Sequence, residues 1–312
     1  MDKLEKIKLL DVGNIKQNEN LANHCTWKIG GPAKLLIEPL SIIQLKNVLQ
    51  FSSKEEIPHV VIGRGSNLLF SDKGFYGIVI KLEAQFSNYS ITGNKLISQA
   101  GAWVPGLCRT AAVSGLSGIE HTIGIPCTIG GLVYMNGGSL RKNIGESLIK
   151  IETINSMGEI KNYLPDECNF SYRHSIFQEL NDVIITRVFL KLFPKNKHLI
   201  RKELLDILKT RRINFPLKQP SCGSVFKADE KMYNKIGPPG KVIDNLGLKG
   251  FRIGNAMISN KHANFFINLG GASSDDILAL ISYVSDKVYK ATGFELSCEV
   301  KYVSETTVRN IS

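Results

Sequence analysis

Apolar residues recur at helical spacing in four stretches of the chain, which predicts four amphipathic helices. Ser41 suits the N-cap of the first, and Gly115 and Gly293 suit the ends of the second and the fourth. The third carries basic residues in its last turn, as the helix dipole favours. The predicted helices cover residues 41–51, 104–114, 199–212 and 273–292.

Between these helices, β-branched and aromatic residues form short runs typical of strands. The stretch 148–164 predicts a hairpin that turns at Met157-Gly158. Because helices and strands are intermixed throughout, we predict an α+β protein, with a domain boundary within residues 194–200. The predicted strands cover residues 59–63, 77–82, 95–102, 148–164, 183–192, 223–226, 264–269 and 299–303.

Charge narrows the choice of partners. Lys and Arg outnumber Asp and Glu by 39 to 28, a net charge of +11, but the basic residues are spread along the chain. A phosphate-bearing substrate or cofactor therefore fits better than a nucleic-acid partner, which we do not expect. The first residues lack a secretory pattern and the apolar stretches are too short to span a membrane. We therefore expect a cytoplasmic protein without membrane contact.

Six cysteines lie far apart, without a CxxC pair or paired histidines. This pattern favours reduced thiols over disulfides or a zinc site, and we predict no metal site. The cysteines are Cys25, Cys108, Cys127, Cys168, Cys222 and Cys298.

Two glycine-rich loops in the N-terminal half are the first candidates for a ligand site. The loop Gly63-Arg64-Gly65-Ser66-Asn67 follows an apolar strand, and its glycines let backbone N–H groups approach a diphosphate. The second loop, residues 124–138, contains Thr128 and the pair Gly130-Gly131, where a helix can begin close against another backbone and favour a phosphate. Each loop alone also fits an ordinary glycine turn, but the two together favour ligand binding.

Three further residues carry polar chemistry, and each also has a plain structural explanation. Arg173 suits a carboxylate or phosphate, although a lone arginine is commonly a solvated surface residue. Gly223 permits close backbone approach and leaves Ser224 exposed at the edge of a short strand, although an ordinary loop-to-strand junction has the same pattern. Glu299 opens an apolar strand, where a carboxylate is often only a strand-edge charge.

Taken in order, seven blocks of the sequence resemble the UDP-N-acetylenolpyruvoylglucosamine reductases. The blocks extend from about residue 21 to residue 304, and the lack of a large insertion after SYRHS resembles the shorter, type II form of the family. The blocks are KIGGPA, GRGSNLLFSDKGF, GIPCTIGGLVYMNGG, SYRHSIF, SCGSVFK, GLKGFRIGNAMISNKHANFFIN and EVKYV.

The resemblance implies an FAD-binding fold of the vanillyl-alcohol-oxidase (PCMH) type in residues 1–195, with subdomains of about 1–82 and 83–195. Residues 196–312 would then form an α+β substrate-binding domain. It also implies non-covalent FAD, NADPH as co-substrate and a UDP-amino-sugar enolpyruvyl ether as substrate in peptidoglycan precursor synthesis. We expect a monomer.

The family pattern also assigns roles to individual residues. Arg173 and Glu299 would meet the negative charge that hydride transfer places on the substrate, Glu299 either as a protonated carboxyl or through a hydrogen bond. Ser224 would donate the proton to carbon. The substrate-binding candidates are Tyr172, Lys218 and Lys227. The FAD-binding candidates are Gly63, Arg64, Gly65, Ser66, Asn67, Gly124, Ile125, Pro126, Thr128, Gly130, Gly131 and Asn136.

Two departures from the family pattern affect the expected site. Cys127 stands where a glycine is common, so its Cβ would crowd the flavin diphosphate unless the backbone angles permit it. The segment after Phe226-Lys227 lacks the usual Asn-Pro. Two rival functions are a flavoprotein of the same fold with a different substrate and a non-catalytic module that senses UDP-sugars. The first need not hold Arg173, Ser224 and Glu299 together, and the second would not consume NADPH.

Overall fold

The structure is a computed structural model that describes residues 3–180 and 182–311. Its α-helices are α1 Lys3–Lys6, α2 Ile42–Lys54, α3 Val104–Val113, α4 Ile129–Tyr134, α5 Lys197–Asn214, α6 Glu230–Ile236, α7 Pro239–Asn245 and α8 Ser274–Thr292. Its strands are β1 Asn14–Asn20, β2 Pro32–Glu38, β3 His59–Ile62, β4 Leu68–Phe70, β5 Phe75–Lys81, β6 Tyr89–Thr92, β7 Lys95–Gln99, β8 Leu116–Ser117, β9 Leu148–Asn155, β10 Ile160–Tyr163, β11 Val183–Lys191, β12 Phe193–Pro194, β13 Arg252–Ile253, β14 Ala256–Ile258, β15 Phe266–Asn268, β16 Lys301–Val303 and β17 Val308–Asn310.

The described residues form two units, and each is made of several stretches of sequence. Unit 1 contains the described part of Met1–Gln17, Leu35–Arg64 and the described part of Ile78–Thr210. Unit 2 contains Asn18–Lys34, Gly65–Gly77 and the described part of Arg211–Ser312. The predicted domain limits, with a division at about residue 195, stay a prediction.

The main sheet of unit 1 is antiparallel, with the strand order β10-β9-β11-β7-β6. Leu107 of α3, Val133 of α4 and Ile200 of α5 are buried in one apolar core with residues of this sheet. A second core joins α2, through Leu45 and its neighbours, to Ile78 of β5. The strands β3 and β5 run parallel to each other within a four-stranded sheet of order β1-β2-β5-β3.

Unit 2 is built around its long helix α8. This helix packs on α7 and on the strands β13 and β14 of an antiparallel three-stranded sheet, β13-β14-β15. Phe226 and Phe266 meet edge to face at 5.9 Å between ring centroids in the buried interior. A second small sheet has the order β17-β16-β4, in which β4 runs parallel to β16.

The helices predicted from periodicity are present with the expected caps. The Ser41 hydroxyl accepts the Gln44 N–H at the start of α2, and Gly115 and Gly293 have left-handed φ values of 72° after α3 and α8. The hairpin β9–β10 turns at Met157-Gly158 as predicted, and the Gly158 N–H donates to Asn155 O in this turn. The loop predicted between β3 and β5 contains a strand of its own, β4, because these residues pair with the distant β16.

The two predicted strands that carry candidate residues Ser224 and Glu299 differ from the prediction. Residues 223–226 make only isolated bridges, at Ser224 and at Phe226. Glu299 does not open a strand, since β16 begins two residues later at Lys301.

Candidate functional site

The two glycine-rich loops meet in unit 1 at Gly63 and Thr128. A Cβ built on Gly63 would lie 2.4 Å from Thr128 Oγ1 and 2.9 Å from its methyl carbon. A Cβ at residue 63 would overlap the Thr128 side chain, so glycine suits this position because its backbone lies against that side chain. This contact joins the end of β3 to the N-cap of α4.

Unpaired backbone donors lie at the same place. Within the described residues, the N–H groups of Gly63, Arg64 and Thr128 donate to no other group of the chain. The first N–H groups of α4 are already used, because Ile129 and Gly130 donate to the carbonyls of Ala102 and Ala100. We call the surroundings of Gly63 and Thr128 the glycine cradle. Its free donors fit an anionic diphosphate, and they lie in the loops rather than in the first turn of α4.

Gly130 and Cys127 explain how the second loop is packed. A Cβ on Gly130 would lie 2.8 Å from Ala100 Cβ, which confirms the predicted close approach to another backbone. Cys127 is only 8% exposed and lies in the apolar core of unit 1, and burial raises the pKa of its thiol to about 12. Its side chain therefore packs in the core, and its predicted crowding of the flavin diphosphate stays a prediction.

The remaining predicted residues of this loop region have varied surroundings. Arg64 is exposed, forms an ion pair with Glu83 and lies 6.0 Å from the centroid of the Trp103 ring. Gly131 and Pro126 are exposed, and Gly124 and Ile125 are partly buried.

Arg173 lies at the tip of a tight turn in unit 1. Ser171 and His174 exchange backbone hydrogen bonds of 3.2 Å across the turn, and Arg173 has a φ of 56°. A non-glycine residue in this conformation carries a strain of about 1 kcal/mol, which its surroundings must offset. The contacts that do so include a hydrogen bond from Arg173 Nη2 to Gly138 O at 3.0 Å and one from Gln178 Nε2 to Arg173 O at 3.0 Å.

Two neighbours of Arg173 also contribute to this turn. Tyr172 is 58% exposed, and its ring centroid lies 5.2 Å from the Arg173 guanidinium. Asn136 is buried, and its side chain donates to Ser171 O at 2.9 Å and accepts the Gly145 N–H at 3.1 Å. In the structure Asn136 thus supports the Arg173 turn, and its predicted contact with the cofactor stays a prediction.

Unit 2 contains the other half of the first glycine loop. Gly65 has a φ of 60°, and a Cβ there would lie 2.2 Å from His24 O. The Asn67 side chain donates to Glu299 O at 3.1 Å, and the Asn67 carbonyl accepts the Lys301 N–H at 3.1 Å. Asn67 therefore anchors the segment that carries Glu299.

Ser224 and Glu299 lie on neighbouring backbone segments of unit 2. The Glu299 N–H donates to Val225 O at 2.7 Å, and the Lys227 N–H donates to Ser297 O at 2.8 Å. Ser224 is half-buried and bridges to Phe265 on the opposite side of its segment. Gly223 has a φ of 83°, and a Cβ added to it would meet no described atom within 4 Å. Glycine therefore suits this position because of its backbone conformation, and the predicted close approach stays a prediction.

A second lysine lies near Lys227, and the sequence reasoning missed it. The pKa of Lys301 is lowered by burial and by the neighbouring charge of Lys227. The signal was present in the sequence, because Lys301 follows Glu299 by two residues and such residues share a face in extended chain. Lys218, the third lysine considered, is exposed.

The structure thus brings together two groups of predicted residues. Gly63 meets Thr128 in unit 1, and Ser224, Glu299 and Asn67 share one hydrogen-bonded set of segments in unit 2. Arg173 belongs to unit 1. The described residues contain no cluster of three or more His, Cys, Asp or Glu that could hold a metal ion, and none of their helices is long and apolar enough to cross a membrane.

Comparison with known proteins matches both halves of the chain to families. Residues 33–163 match the FAD binding domain family, and residues 215–303 match the family described as UDP-N-acetylenolpyruvoylglucosamine reductase, C-terminal domain. The first match contains Gly63 and Thr128, and the second contains Ser224 and Glu299.

Two curated relatives carry the same enzyme name. UDP-N-acetylenolpyruvoylglucosamine reductase 1 of Corynebacterium glutamicum is 47% identical over 89% of this chain and 83% of its own length. The UDP-N-acetylenolpyruvoylglucosamine reductase of Carboxydothermus hydrogenoformans is 40% identical over 93% of this chain and 94% of its own. The crystal structure of UDP-N-acetylenolpyruvylglucosamine reductase from Thermus caldophilus superposes with a TM-score of 0.77 at 34% identity, covering 93% of this chain and 98% of that one.

An FAD-binding domain of the PCMH type with an α+β C-terminal domain makes this chain a flavin-dependent oxidoreductase. The predicted fold class, enzyme class and FAD cofactor are thereby confirmed. The chain belongs to the UDP-N-acetylenolpyruvoylglucosamine reductase family, as the seven sequence blocks indicated.

Proposed function

We propose that this chain reduces UDP-N-acetylglucosamine enolpyruvate to UDP-N-acetylmuramate, with NADPH as the hydride source and non-covalently bound FAD as the carrier. It would act in the cytoplasm as a monomer, without a nucleic-acid or membrane partner, in the synthesis of peptidoglycan precursors. The observation that carries the proposal is the pairing of the Ser224 and Glu299 segments, through the 2.7 Å hydrogen bond from Glu299 N–H to Val225 O.

We assign the FAD diphosphate to the glycine loops. The N–H groups of Gly63, Arg64 and Thr128 supply donors without partners among the described residues, and Gly65, Ser66 and Asn67 complete the first loop. The other predicted residues of the second loop (Gly124, Ile125, Pro126, Gly130, Gly131 and Asn136) would shape and support this cradle. When bound, FAD supplies a hydride acceptor and donor that neither the protein side chains nor the substrate can replace.

Three residues would perform the chemistry on the substrate. Reduction of the enolpyruvyl double bond needs a hydride at the terminal carbon and a proton at the carbon beside the carboxylate. The Ser224 hydroxyl donates that proton, and the Arg173 guanidinium and the Glu299 carboxyl stabilise the negative charge that develops. The strained and hydrogen-bonded turn that holds Arg173 supports this role, because a fixed cation stabilises a transition state without reorganisation.

Two kinds of residue would hold the rest of the substrate. Lys227 and Lys218 would face its diphosphate, and the exposed Tyr172 would contact it beside Arg173. The closeness of the Lys227 and Lys301 charges supports an anionic ligand there, since such a ligand relieves their repulsion.

Flavin spectroscopy and half-reaction kinetics test the proposal. The purified protein should show FAD absorbance and consume NADPH only when UDP-N-acetylglucosamine enolpyruvate is present. NADPH loss independent of that substrate would favour an oxidase, and binding of UDP-sugars without NADPH loss would favour a sensing module.

The variant Ser224→Ala should slow reoxidation of pre-reduced flavin by substrate roughly 10²- to 10⁴-fold, because the proton donor is lost. Flavin reduction by NADPH should keep its rate. Ser221→Ala, in the same segment, is the matched control and should leave both half-reactions unchanged. Full retention of substrate reduction in Ser224→Ala would remove Ser224 from the mechanism.

A further inference from the structure

The side chain of Asn264 is hydrogen-bonded to the backbone of the segment that carries Ser224. Asn264 is 5% exposed, and its Oδ1 accepts the Phe226 N–H at 2.9 Å while its Nδ2 donates to Phe226 O at 2.9 Å. Its own carbonyl accepts the Val225 N–H at 2.8 Å. One residue therefore satisfies three backbone groups of residues 225–226, directly after Ser224.

These bonds replace a strand ladder that the segment lacks. Residues 224–227 make only isolated bridges, to Phe265 on one side and to Cys298 on the other. The second side also includes the bonds from Glu299 N–H to Val225 O and from Lys227 N–H to Ser297 O. With few backbone bonds on either side, the two side-chain bonds of Asn264 are a large share of what holds Ser224 and the Glu299 segment in register.

Asn264 is itself fixed by its neighbours. Its N–H donates to His262 Nδ1 at 3.3 Å, and the Phe265 N–H donates to His262 O at 2.9 Å. Because Nδ1 accepts, the imidazole is neutral with its proton on Nε2. The His262 ring is also packed against Phe215 and Phe265, at centroid distances of 5.1 and 4.9 Å.

We infer that Asn264 is a positioning residue for proton delivery by Ser224, acting through its paired hydrogen bonds to the Phe226 backbone. The inference rests on the proposed function. A displacement of a reacting group by about 1 Å can slow an enzymatic step about 10²-fold. Loss of the hydrogen bonds from Asn264 to Phe226 should therefore slow the step that uses Ser224. The step that delivers hydride from NADPH makes no use of Ser224 and should be spared.

The test compares Asn264→Ala with Asn268→Ala in the FAD-loaded enzyme. Asn268 is a matched control in unit 2, because it is also 5% exposed and also bonds backbone groups, accepting from Gly270 and Ala272 and donating to Trp27 O. Stopped-flow absorbance would follow flavin reduction by NADPH and flavin reoxidation by UDP-N-acetylglucosamine enolpyruvate. Asn264→Ala should slow reoxidation about 10- to 100-fold, change reduction less than about twofold and raise the solvent deuterium isotope effect on reoxidation.

Asn264→Asp provides a second variant if the alanine protein does not fold. Aspartate keeps the acceptor for the Phe226 N–H, but its second oxygen faces Phe226 O and repels it unless that oxygen carries a proton. The slowing should therefore fall in the same half-reaction and grow as the pH rises. Reoxidation at the wild-type rate in these variants would overturn the positioning role alone. Equal slowing of both half-reactions, as a merely structural residue would cause, would also overturn it. If the unsubstituted enzyme showed no substrate-dependent reoxidation, the proposed function itself would fall, and the inference with it.

Discussion

At the scale of single residues, burial raises the pKa of the cysteine thiols and so lowers their reactivity. Five of the six cysteines are buried, and burial raises the pKa of all six thiols, to about 12 for Cys108 and about 11 for Cys168 and Cys298. Since the thiolate is the reactive form, native protein at pH 8 should react with a thiol reagent such as DTNB at no more than about one site within minutes, that of the half-buried Cys298.

Unfolding in guanidinium should expose all six thiols to the same reagent, and Cys298→Ser should abolish the residual native reaction. Rapid reaction of two or more thiols in the native protein would contradict the packing described above. The measurement also bears on Cys127, because a thiol directed toward the glycine cradle would react faster than one in the core.

Residue types identified much of the candidate site, but their physical roles needed the structure. Glycine at residue 130 was correctly attributed to close approach to another backbone, since only glycine lacks a Cβ, whereas the contact of Gly63 with the Thr128 side chain was not predicted. At Gly223 the structure shows another reason for glycine, a positive φ. A sequence does not distinguish these two needs, because glycine satisfies both.

At the scale of elements, two adjacent glycines of the short helix α4 differ in how closely they pack against their neighbours. A Cβ on Gly130 would lie 2.8 Å from Ala100 Cβ and 3.1 Å from Ala100 O, whereas one on the adjacent Gly131 would meet only Thr128 Oγ1 at 3.4 Å. Gly130→Ala should therefore lower the free energy of unfolding by about 1–3 kcal/mol through overpacking. Gly131→Ala should be neutral or stabilising by up to about 1 kcal/mol, because alanine is the better helix former.

Urea unfolding of the two flavin-free variants, followed by circular dichroism, would measure this difference without a contribution from ligand affinity. Each variant serves as the control for the other, since both add one methyl group to the same helix. Equal losses in the two would show that α4 does not pack on Ala100 as described.

Elements with strong local signals were predictable, and those formed by distant pairing were not. The helix α8 was marked by its apolar periodicity and by Gly293 after its last turn, and the structure adds an N-cap at Ser273, which accepts the Asp276 N–H at 3.0 Å. The strand β4 was missed because three residues in a glycine-rich loop carry little periodicity, and its pairing with β16 joins positions more than 230 residues apart.

At the scale of the whole molecule, buried histidines make stability depend on pH. Burial is the main cause that lowers the pKa values of His59, His121 and His262. In the unfolded chain histidine has a pKa of about 6.5. Between that pH and the lowered values, the unfolded chain therefore binds protons that the folded chain does not bind. Their contribution to stability is full above about pH 6.5 and is lost as pH falls through the lowered values. For each proton bound on unfolding, the unfolding free energy falls by about 1.4 kcal/mol for every unit by which the pH is lowered.

His121 allows the pH effect to be isolated. It is 3% exposed, and both its ring nitrogens lack a hydrogen-bond partner among the described residues. The charges that act on its pKa are those of Glu146, Glu120 and Glu203, which raise it, and of Lys142, which lowers it. His121→Leu should reduce the acid slope of the unfolding free energy, measured by denaturant titration between pH 5 and pH 7. His198→Leu, on the exposed side of α5, is the control and should leave the slope as it was. An unchanged slope in His121→Leu would contradict the burial of a neutral imidazole.

The sequence by itself determined the α+β class, the main helices and their caps, the glycine loops and the family of this protein. These follow from local causes: periodicity, capping and the absence of a Cβ act within a few residues, and ordered motifs can be recognised from the residues alone. Only the tertiary structure decided that Cys127 turns into the core, that Gly63 rests against Thr128, and that Asn264 holds the Ser224 segment. Those facts depend on packing between residues far apart in sequence. Each polar or apolar group could contact many such partners, and the sequence pattern does not predict which partner it contacts.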